Sequence, residues 1–373
     1  MNSIAVIYLG RKGAGPVFAY EMTKGLIENG VNVYAFISEN VENLEKWKLL
    51  HTMSTEIIPT ADNTLGFVKG VLYFRAFIYR KLKTKYSHIK VDACYIPMGH
   101  VWDDYIINLL NNPYTIKTIH DPIPHSSDRS LKNIMIRIAS SLLNTGIHKK
   151  KPDTIIVLSK KFQEYAAKRY NIPIGNVKVI PHGIFDFYQT VDNGEVFDYP
   201  KGKINFLFWG RITSYKGLDI LAEAYSKLKQ SESNITLTVV GSGDFSPYKD
   251  AYSALKDVTV INRWIKDEEV ASFFKTKEKI ILVLPYRDAT QSGVIPTAMS
   301  FSVPVMVSNT GGLSEQVEDG VTGYLFEPNS VDSLIMCMKK LISTDTTEIT
   351  KNALAYVKSL DWVSLSKEVI SII

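Results

Sequence analysis

The chain has 373 residues, of which 45% are hydrophobic and 22% charged, a composition typical of a globular protein with room for two domains. Its net charge of +5 is uneven, because residues 1–195 hold 24 Lys and Arg against 17 Asp and Glu, whereas residues 196–373 hold 19 against 21. Two distant cysteines, Cys94 and Cys337, argue against a disulfide framework, and no apolar run reaches the roughly 18 residues of a membrane-spanning helix. We expect a cytoplasmic protein without a signal peptide and without nucleic acid as a partner.

The first half of the chain alternates short apolar runs with amphipathic stretches. The apolar runs that predict strands lie at 4–9, 31–37, 92–96, 115–119 and 154–158. A helix is predicted over 15–29, and Gly30 ends it. Strands that alternate with helices in this way are typical of parallel βα units.

The first predicted strand leads directly into a glycine-rich loop, from Gly10 to Phe18. This loop is similar to a dinucleotide-binding fingerprint, but Phe18 stands in the place of the third glycine, and the GK[ST] ending of a P-loop is absent. Gly13 and Gly15 can still let a phosphate or a sugar approach the helix amides. We therefore predict that both glycines contact a ligand.

A polar segment rich in turn residues, 186–203, separates this half from a second α/β pattern. The second set of apolar runs lies at 204–209, 235–240, 258–261, 280–284 and 303–307. We predict two doubly wound Rossmann-like α/β domains that face each other across a cleft, the default ligand site of such pairs. The predicted bounds are 1–190 and 200–360, followed by a C-terminal helix at 361–373.

The apolar run that ends at Trp209 is followed by a loop with two cations five residues apart, Arg211 and Lys216, between Gly210 and Gly217. An arginine fork and a lysine point charge beyond the carboxyl end of a buried strand can neutralise a diphosphate as negative charge develops on it. Taken alone, the same pattern is compatible with an ordinary basic loop.

Five further motifs follow this loop in order. They are Val239-Val240-Gly241-Ser242-Gly243, Val283-Leu284-Pro285-Tyr286, Ala298 to Val305, Gly311-Gly312-Leu313-Ser314-Glu315 and Asp319 to Gly323. In this order and spacing the set resembles family 4 retaining glycosyltransferases of the GT-B fold, most clearly from residue 204 to residue 330. The first half matches mainly in its glycine loop, in Thr118-Ile119-His120-Asp121 and in Val179-Ile180-Pro181-His182-Gly183.

The resemblance implies a metal-independent hexosyl- or deoxyhexosyltransferase, with a nucleotide-sugar donor held mainly by the second domain and an acceptor held by the first. Arg211 and Lys216 match the diphosphate-binding pair, and His120 matches the active-site histidine that contacts the transferred sugar. No cofactor and no metal are implied, and Asp103-Asp104 is interpreted as a helix cap or solvated surface. The residues assigned to donor binding are Gly13, Gly15, Gly210, Gly241, Gly243, Arg263, Gln291, Ser292, Gly293, Thr297 and Glu315.

The sequence departs from the family at one motif. Members usually carry two glutamates separated by seven residues, the first at the donor sugar and the second at the nucleotide ribose, and here these positions are Ala289 and Thr297. Between them, Gln291 offers an amide that can replace a lost carboxylate contact. Arg263 follows a predicted strand and can border the base. Glu315 either lies near the donor sugar or simply favours the dipole of its helix.

Two segments combine basic and apolar residues, 68–86 and 129–151. Their composition fits interfacial helices that reach a lipid-linked acceptor at an anionic membrane, and it fits helices packed on the sheet with a solvated basic edge equally well. We predict a glycosyltransferase of surface polysaccharide, lipopolysaccharide or glycolipid assembly that can associate peripherally with the inner face of the membrane.

Two alternatives stay open at this point. A non-catalytic sugar-nucleotide-binding protein would explain the two missing glutamates. A nucleotide-cofactor oxidoreductase would need a complete glycine fingerprint, and Phe18 argues against it.

Overall fold

The computed structural model describes residues 2–60, 79–123, 150–191 and 193–373. The chain forms two compact units, one made of Met1–Pro181 together with Trp362–Ile373, the other of His182–Asp361. Each unit is built on a parallel sheet whose strands are separated along the chain by helices. This is the two-domain α/β class that the alternating pattern predicts.

The first unit has a sheet of seven parallel strands among its described residues. The strands are β1 (Ser3–Tyr8), β2 (Asn32–Ser38), β3 (Ser54–Ile58), β4 (Ala93–Ile96), β5 (Tyr114–Ile119), β6 (Thr154–Val157) and β7 (Val177–Val179). The helices that accompany them are α1 (Ala14–Glu28), α2 (Leu44–Leu49), α3 (Tyr79–Tyr86), α4 (Asp103–Leu109) and α5 (Gln163–Tyr170). The spatial order is β3-β2-β1-β4-β5-β6-β7, so the order reverses between β1 and β4. The carboxyl ends of strands at such a switch point are where open α/β sheets bind ligands.

The second unit repeats this arrangement with six parallel strands. The strands are β8 (Ile204–Trp209), β9 (Ile235–Gly241), β10 (Val258–Asn262), β11 (Ile280–Leu284), β12 (Val305–Ser308) and β13 (Tyr324–Phe326). The helices are α6 (Leu218–Lys229), α7 (Lys249–Ser253), α8 (Asp267–Val270), α9 (Val294–Ser300), α10 (Leu313–Gln316), α11 (Val331–Ser343) and α12 (Thr347–Lys358). The order β10-β9-β8-β11-β12-β13 places the switch point between β8 and β11.

The last helix, α13 (Trp362–Ile370), belongs to the first unit, where it packs on α1. Gly25 allows this contact, because a Cβ there would collide with the Trp362 carbonyl oxygen and lie 2.8 Å from Ser366 Oγ. The Asn29 amide adds hydrogen bonds to the Val363 carbonyl (2.7 Å) and to Ser366 Oγ (2.9 Å). The close approach at Gly25 and the hydrogen bonds of Asn29 thus hold α1 and α13 together.

The boundary between the two units differs from the predicted one, because residues 182–190 lie with the second unit. The Tyr188 ring packs edge to face on Trp209 with a centroid distance of 5.9 Å, and the Gln189 amide donates to the Ser300 carbonyl at 2.9 Å. The polar sequence predicts a linker near these residues. The contacts of Tyr188 and Gln189 then attach residues 182–190 to the second unit.

The predicted interfacial segments lie largely outside the described residues. Residues 68–78 and 129–149 are not described, and of these two segments the structure describes mainly α3, whose Leu82 and Tyr86 are buried in the first core. Among the described residues, no helix has the length and apolar character needed to cross a membrane.

Candidate active site

The loop after β8 lies directly against the loop after β9. The Gly210 N–H donates to the Val240 carbonyl (3.0 Å), and the Ile212 N–H donates to the Ser242 carbonyl (2.9 Å). Gly241 has φ 154°, and a Cβ at this position would collide with the Gly210 carbonyl oxygen. Glycine is therefore required at 241 to let the two main chains approach, which gives this predicted donor-binding residue a positioning role. Gly243 packs on Ile212 in the same way.

The two predicted cations sit differently in this loop. Arg211 is exposed and makes no hydrogen bond or ion pair with the described residues. Lys216 is only 8% exposed and ends a short 3-10 turn, Ser214–Lys216. Gly217 follows with φ 68°, and a Cβ there would collide with the Pro285 carbonyl oxygen, so glycine is needed where the loop touches the end of β11. One cation is thus free to reach a ligand, and the other is held by its surroundings.

Aromatic rings surround the Lys216 ammonium. Its Nζ lies 3.5 Å from the centroid of the Tyr286 ring and 5.0 Å from that of Tyr215. The Tyr286 hydroxyl lies 3.7 Å from the position of a Cβ on Gly210, and Val294 Cγ2 lies 3.9 Å from it. The loop after β8, the end of β11 and the start of α9 therefore meet at one place.

The segment before α9 holds three of the predicted donor-binding residues. The Ser292 N–H donates to Gln316 Oε1 (2.8 Å), and the Gln316 amide donates back to the Ser292 carbonyl (3.0 Å). Gln291 Oε1 is buried without a hydrogen-bond partner in the described residues. A Cβ on Gly293 would lie 3.5 Å from His182 Nε2. A buried acceptor without a partner is rare. Of these three residues, Gln291 is therefore the one whose side-chain oxygen can still accept a hydrogen bond.

His182 lies at this segment, although the sequence indicated it only as part of a matching motif. It is 3% exposed, and its ring packs edge to face on Phe185 with a centroid distance of 4.7 Å. Nδ1 lies 2.7 Å from the Gly183 carbonyl oxygen, which can only accept, so Nδ1 carries the hydrogen. Nε2, which faces Gly293, is then an acceptor in the neutral ring.

The two positions at which the family resemblance led us to expect glutamate belong to the packed interior. Ala289 is 2% exposed, and its carbonyl accepts the Gly312 N–H at 3.0 Å. Thr297 is fully buried, and its hydroxyl donates to the Gly293 carbonyl within α9 at 2.8 Å. The Thr297 hydroxyl, which we assigned to donor binding, thus stabilises its own helix.

Arg263 and Glu315 lie on the surface of the second unit. The Arg263 guanidinium makes a two-point contact with Glu269, at 2.6 and 3.0 Å, and this contact holds the pKa of Glu269 below its usual range. Glu315 is exposed on α10. The described contacts of Arg263 tie it to the start of α8.

In the first unit, His120 follows β5 at the carboxyl edge of the sheet. Its Nε2 donates to the Pro97 carbonyl at 2.9 Å, and Phe18 packs on the ring with a centroid distance of 4.6 Å. Burial lowers the pKa of His120, although Pro97 and Asp121 act in the opposite direction. The imidazole is therefore neutral at pH 7 with its hydrogen on Nε2, which leaves Nδ1 as an acceptor.

The two glycines of the first loop have structural partners. The Gly13 N–H donates to the Glu42 carboxylate at 3.1 Å, so a carboxylate of the chain occupies the position that we predicted for a ligand phosphate. A Cβ on Gly15 would lie 2.7 Å from the Tyr8 hydroxyl and 3.0 Å from Met98 Cε. Gly15 thus allows close packing of α1 on the ends of β1 and β4.

The acidic pair Asp103-Asp104 opens α4, and Asp103 is buried there. Its Oδ2 accepts the His100 N–H at 2.6 Å and lies 3.6 Å from the Lys117 ammonium. Burial raises the pKa of Asp103 to about 7, against the opposing effects of Lys117 and the His100 N–H. Among the described residues, no three His, Cys, Asp or Glu side chains are grouped so that they could hold a metal ion.

Comparison with known proteins finds a family match in the second unit. Residues 193–356 match the family model of glycosyl transferases group 1. The chain is 27% identical to an uncharacterized glycosyltransferase of Methanocaldococcus jannaschii over 58% of its own length and 59% of that protein. It is 28% identical to a lipopolysaccharide 1,2-N-acetylglucosaminetransferase of Salmonella typhimurium over 62% of its own length and 66% of that protein. The chain thus spans less than two thirds of each of these two relatives.

The fold has relatives among solved structures. The crystal structure of Anabaena HepE in complex with UDP-glucose superposes with a TM-score of 0.67 over 100% of this chain and 99% of that one, at 17% identity. At this identity the likeness concerns the fold, which is GT-B, two parallel-sheet α/β domains.

Proposed function

We propose that this chain, whose second unit carries a group 1 glycosyltransferase domain, is a retaining glycosyltransferase that moves a hexosyl or deoxyhexosyl group from a nucleotide-sugar donor to a glycan or lipid-linked acceptor. The relative that acts in lipopolysaccharide synthesis supports a role in surface polysaccharide or glycolipid assembly. The solved structure that holds UDP-glucose supports a nucleotide-sugar as the donor.

The observation that carries the proposal is the pair of cations in the loop after β8. Arg211 is exposed, and the Lys216 ammonium is held at the end of β11, at the switch point of the second sheet. A diphosphate leaving group carries its charge on several oxygens, and an arginine fork with a lysine point charge complements it. An exposed and a held cation can together do this without a metal ion.

In the proposed reaction, the bond between the anomeric carbon and the diphosphate oxygen breaks, and the leaving diphosphate takes the electron pair. Arg211 and Lys216 stabilise the negative charge that develops on it. The acceptor hydroxyl attacks the same face of the sugar and passes its proton to the leaving phosphate, so the configuration is retained. This chemistry depends on placed charges more than on a strong protein base, and so it tolerates Ala289 and Thr297.

We assign His120 a part in holding the transferred sugar. Its Nε2–H is bound to the Pro97 carbonyl, so the neutral ring presents Nδ1 as an acceptor for a sugar hydroxyl. A neutral acceptor at this position adds no positive charge near the developing oxocarbenium centre.

We also propose that the first unit can dock on an anionic membrane to reach a lipid-linked acceptor. On α3, Leu82 and Tyr86 are buried, whereas Arg80, Lys81 and Lys83 are exposed. Each basic residue near an anionic surface contributes about 1 kcal/mol. The fraction of the protein that sediments with anionic vesicles should fall when these three residues are changed to Gln. It should stay unchanged when the exposed Lys351 and Lys358 of α12 are changed to Gln. Equal recovery with neutral and anionic vesicles would refute the docking.

The transferase proposal is tested by screening nucleotide-sugars for thermal stabilisation and then measuring turnover on the hits. A donor present at 100 times its Kd stabilises the folded state by about 2.7 kcal/mol, which a melting curve detects. Hydrolysis or transfer of a hit, with the α or β configuration of the donor preserved in the product by NMR, is the expected result. Inversion would refute the retaining mechanism. Binding without turnover would favour the non-catalytic sugar-nucleotide-binding protein, which the absence of carboxylates at 289 and 297 supports.

A further inference from the structure

The Lys216 side chain is buried against an aromatic face. Its Nζ lies 3.5 Å above the ring of Tyr286, which is fully buried, and 5.0 Å from the ring of Tyr215. An ammonium within about 6 Å of an aromatic face is attracted by the negative potential of the ring, most strongly where water is excluded. Because Lys216 is only 8% exposed, this contact falls in the strong range.

The main chain at Tyr286 is held in place by several contacts. Ser308 Oγ donates to the Tyr286 carbonyl at 2.5 Å, and the Arg287 N–H donates to the Tyr215 carbonyl at 2.7 Å. Pro285 lies against Gly217, where no side chain fits. The residues that follow β11 are therefore joined to the loop that carries Lys216, and this contact places the ring and the ammonium side by side.

The ring rather than the hydroxyl makes this contact. Burial raises the pKa of Tyr286 above its usual range, although the nearby Ser292 side chain acts to lower it. The side chain is thus a neutral phenol at pH 7, and its interaction with Lys216 is not an ion pair. The hydroxyl itself makes no hydrogen bond of normal geometry to the described residues.

We propose that Tyr286 is a positioning residue, whose ring face holds the Lys216 ammonium in place for the diphosphate of the donor. The inference rests on the proposed function, in which Lys216 contacts that diphosphate. An aromatic face attracts and restrains an ammonium without accepting a hydrogen bond from it in the way that a carboxylate does. The geometry thus gives the ammonium a defined place beside the end of β11.

The test compares side chains that keep or remove the ring. UDP, GDP and ADP are the probes, and their Kd values are measured by calorimetry on the full chain. Tyr286→Phe should bind the preferred diphosphate within about twofold of the wild type, and Tyr286→Leu should bind it about tenfold more weakly or worse. Tyr225→Leu is the matched control, because Tyr225 is equally buried in the second unit but lies on α6. It should lower the melting temperature and leave the Kd unchanged.

Two further measurements separate a cation–π role from simple packing. Replacement of Tyr286 by phenylalanine with one, two and three ring fluorines retains the ring while weakening its negative face, so the Kd should rise stepwise along the series. In a Lys216→Ala background, Tyr286→Leu should have no further effect on the Kd, because the interacting partner is gone.

The outcomes are distinct. A flat Kd along the fluorinated series, or an equal effect of Tyr286→Leu with and without Lys216, overturns the role of Tyr286 and leaves the proposed function intact. An unchanged diphosphate Kd in Lys216→Ala overturns the diphosphate contact itself, and the inference with it. If Tyr286→Leu does not fold, the fluorinated series decides alone, since it preserves the ring.

Discussion

The loops that follow β1 and β8 occupy equivalent places in the two sheets, and each carries two cations, Arg11 and Lys12 in the first and Arg211 and Lys216 in the second, yet the two loops differ in their contacts. After β8, Arg211 is exposed and the Lys216 ammonium rests on the Tyr286 ring. After β1, the Gly13 N–H at the start of α1 is already bonded to the Glu42 carboxylate. A helix N-terminus attracts anions, and in the first unit the chain supplies that anion itself. One βα architecture therefore holds a buried ammonium against an aromatic ring in one unit, and in the other it binds a helix N-terminus to a carboxylate of the chain.

The largest effect is expected from removing either cation of the second loop. Arg211→Ala and Lys216→Ala should each lower kcat about 100-fold or more, because a fixed donor aimed at developing charge contributes on that scale. The melting temperature should change little for exposed Arg211. Steady-state kinetics with the donor found by screening check the prediction, and an unchanged kcat would contradict the assignment of the anionic site to the second unit.

The second loop also depends on its glycine contacts. Gly241→Ala should destabilise the second unit by about 2–4 kcal/mol and abolish transfer, because the new Cβ collides with the Gly210 carbonyl at a positive φ. Gly202→Ala is the control, since Gly202 has φ 69° but no atom within 4 Å of a Cβ. Urea unfolding measures the free energy of unfolding of both variants. Equal losses would mean that the positive φ alone, and not the collision with the Gly210 carbonyl, accounts for the effect.

In the first unit, His120 is expected to have a smaller effect on the reaction. His120→Ala should lower kcat about tenfold, the contribution of one hydrogen bond of about 1.4 kcal/mol, while the Kd of the donor nucleotide stays unchanged. His120→Gln should recover part of the rate if an acceptor at this position is sufficient. A loss of nucleotide affinity in His120→Ala would show that the first unit contacts the donor nucleotide, and it would contradict the assignment of donor binding to the second unit.

The buried His100 of the first unit predicts that the free energy of unfolding depends on pH. Burial, Lys117 and Arg11 lower the pKa of His100 to about 4, below the usual value of about 6.5. Between these two values the unfolded chain binds a proton that the folded chain does not, so stability falls as the pH is lowered. Asp103, whose pKa is raised to about 7, has the opposite effect on stability. The contribution of His100 is therefore isolated by comparing the wild type with His100→Gln.

The wild type should lose more stability than His100→Gln as the pH falls from 6.5 to 4. Urea unfolding at half-unit steps of pH measures the difference. Parallel curves would show that the pKa of His100 is not lowered in the folded chain.

The smallest effect is expected at the first glycine loop. Glu42→Gln should leave the Kd of the donor nucleotide within about twofold of the wild type, because the Gly13 N–H does not serve the donor and Coulomb effects at an exposed position are screened. The Glu42→Gln and Lys216→Ala variants are compared in the same calorimetry. A stronger donor affinity in Glu42→Gln would mean that the first loop takes part in donor binding.

The central strands could be predicted from the sequence, and three edge strands could not. β3, β7 and β13 lie at the edges of their sheets and have no counterpart among the predicted strands. Strands in the middle of a parallel sheet are covered on both faces and form continuous apolar runs, whereas β3 is only partly buried along most of its length. Incomplete burial weakens the apolar run of β3, and β7 and β13 are only three residues long, too short to show a pattern.

The candidate site shows the same limit. Arg211 and Lys216 were visible because strand, glycine turn and cations are neighbours in the chain. Tyr286 was noted only as part of a motif, and the bond between Gly13 and Glu42 was not predicted. Both contacts join residues from different βα units, and no local pattern records them. The position of His182 beside Gly293 is of the same kind, although its place in Pro181-His182-Gly183 was a usable signal.

The sequence by itself determined the alternation of strands and helices, the glycine turns at the strand ends and the presence of two cations in the loop after β8. These features are local, since they depend on burial periodicity and on the φ angles that glycine allows. Tertiary structure alone decided that an aromatic ring restrains one of those cations and that a carboxylate neutralises the first helix. Such contacts arise only when a parallel sheet brings the ends of distant strands to one edge. That arrangement places the Lys216 ammonium on the Tyr286 ring and binds the Gly13 N–H to the Glu42 carboxylate.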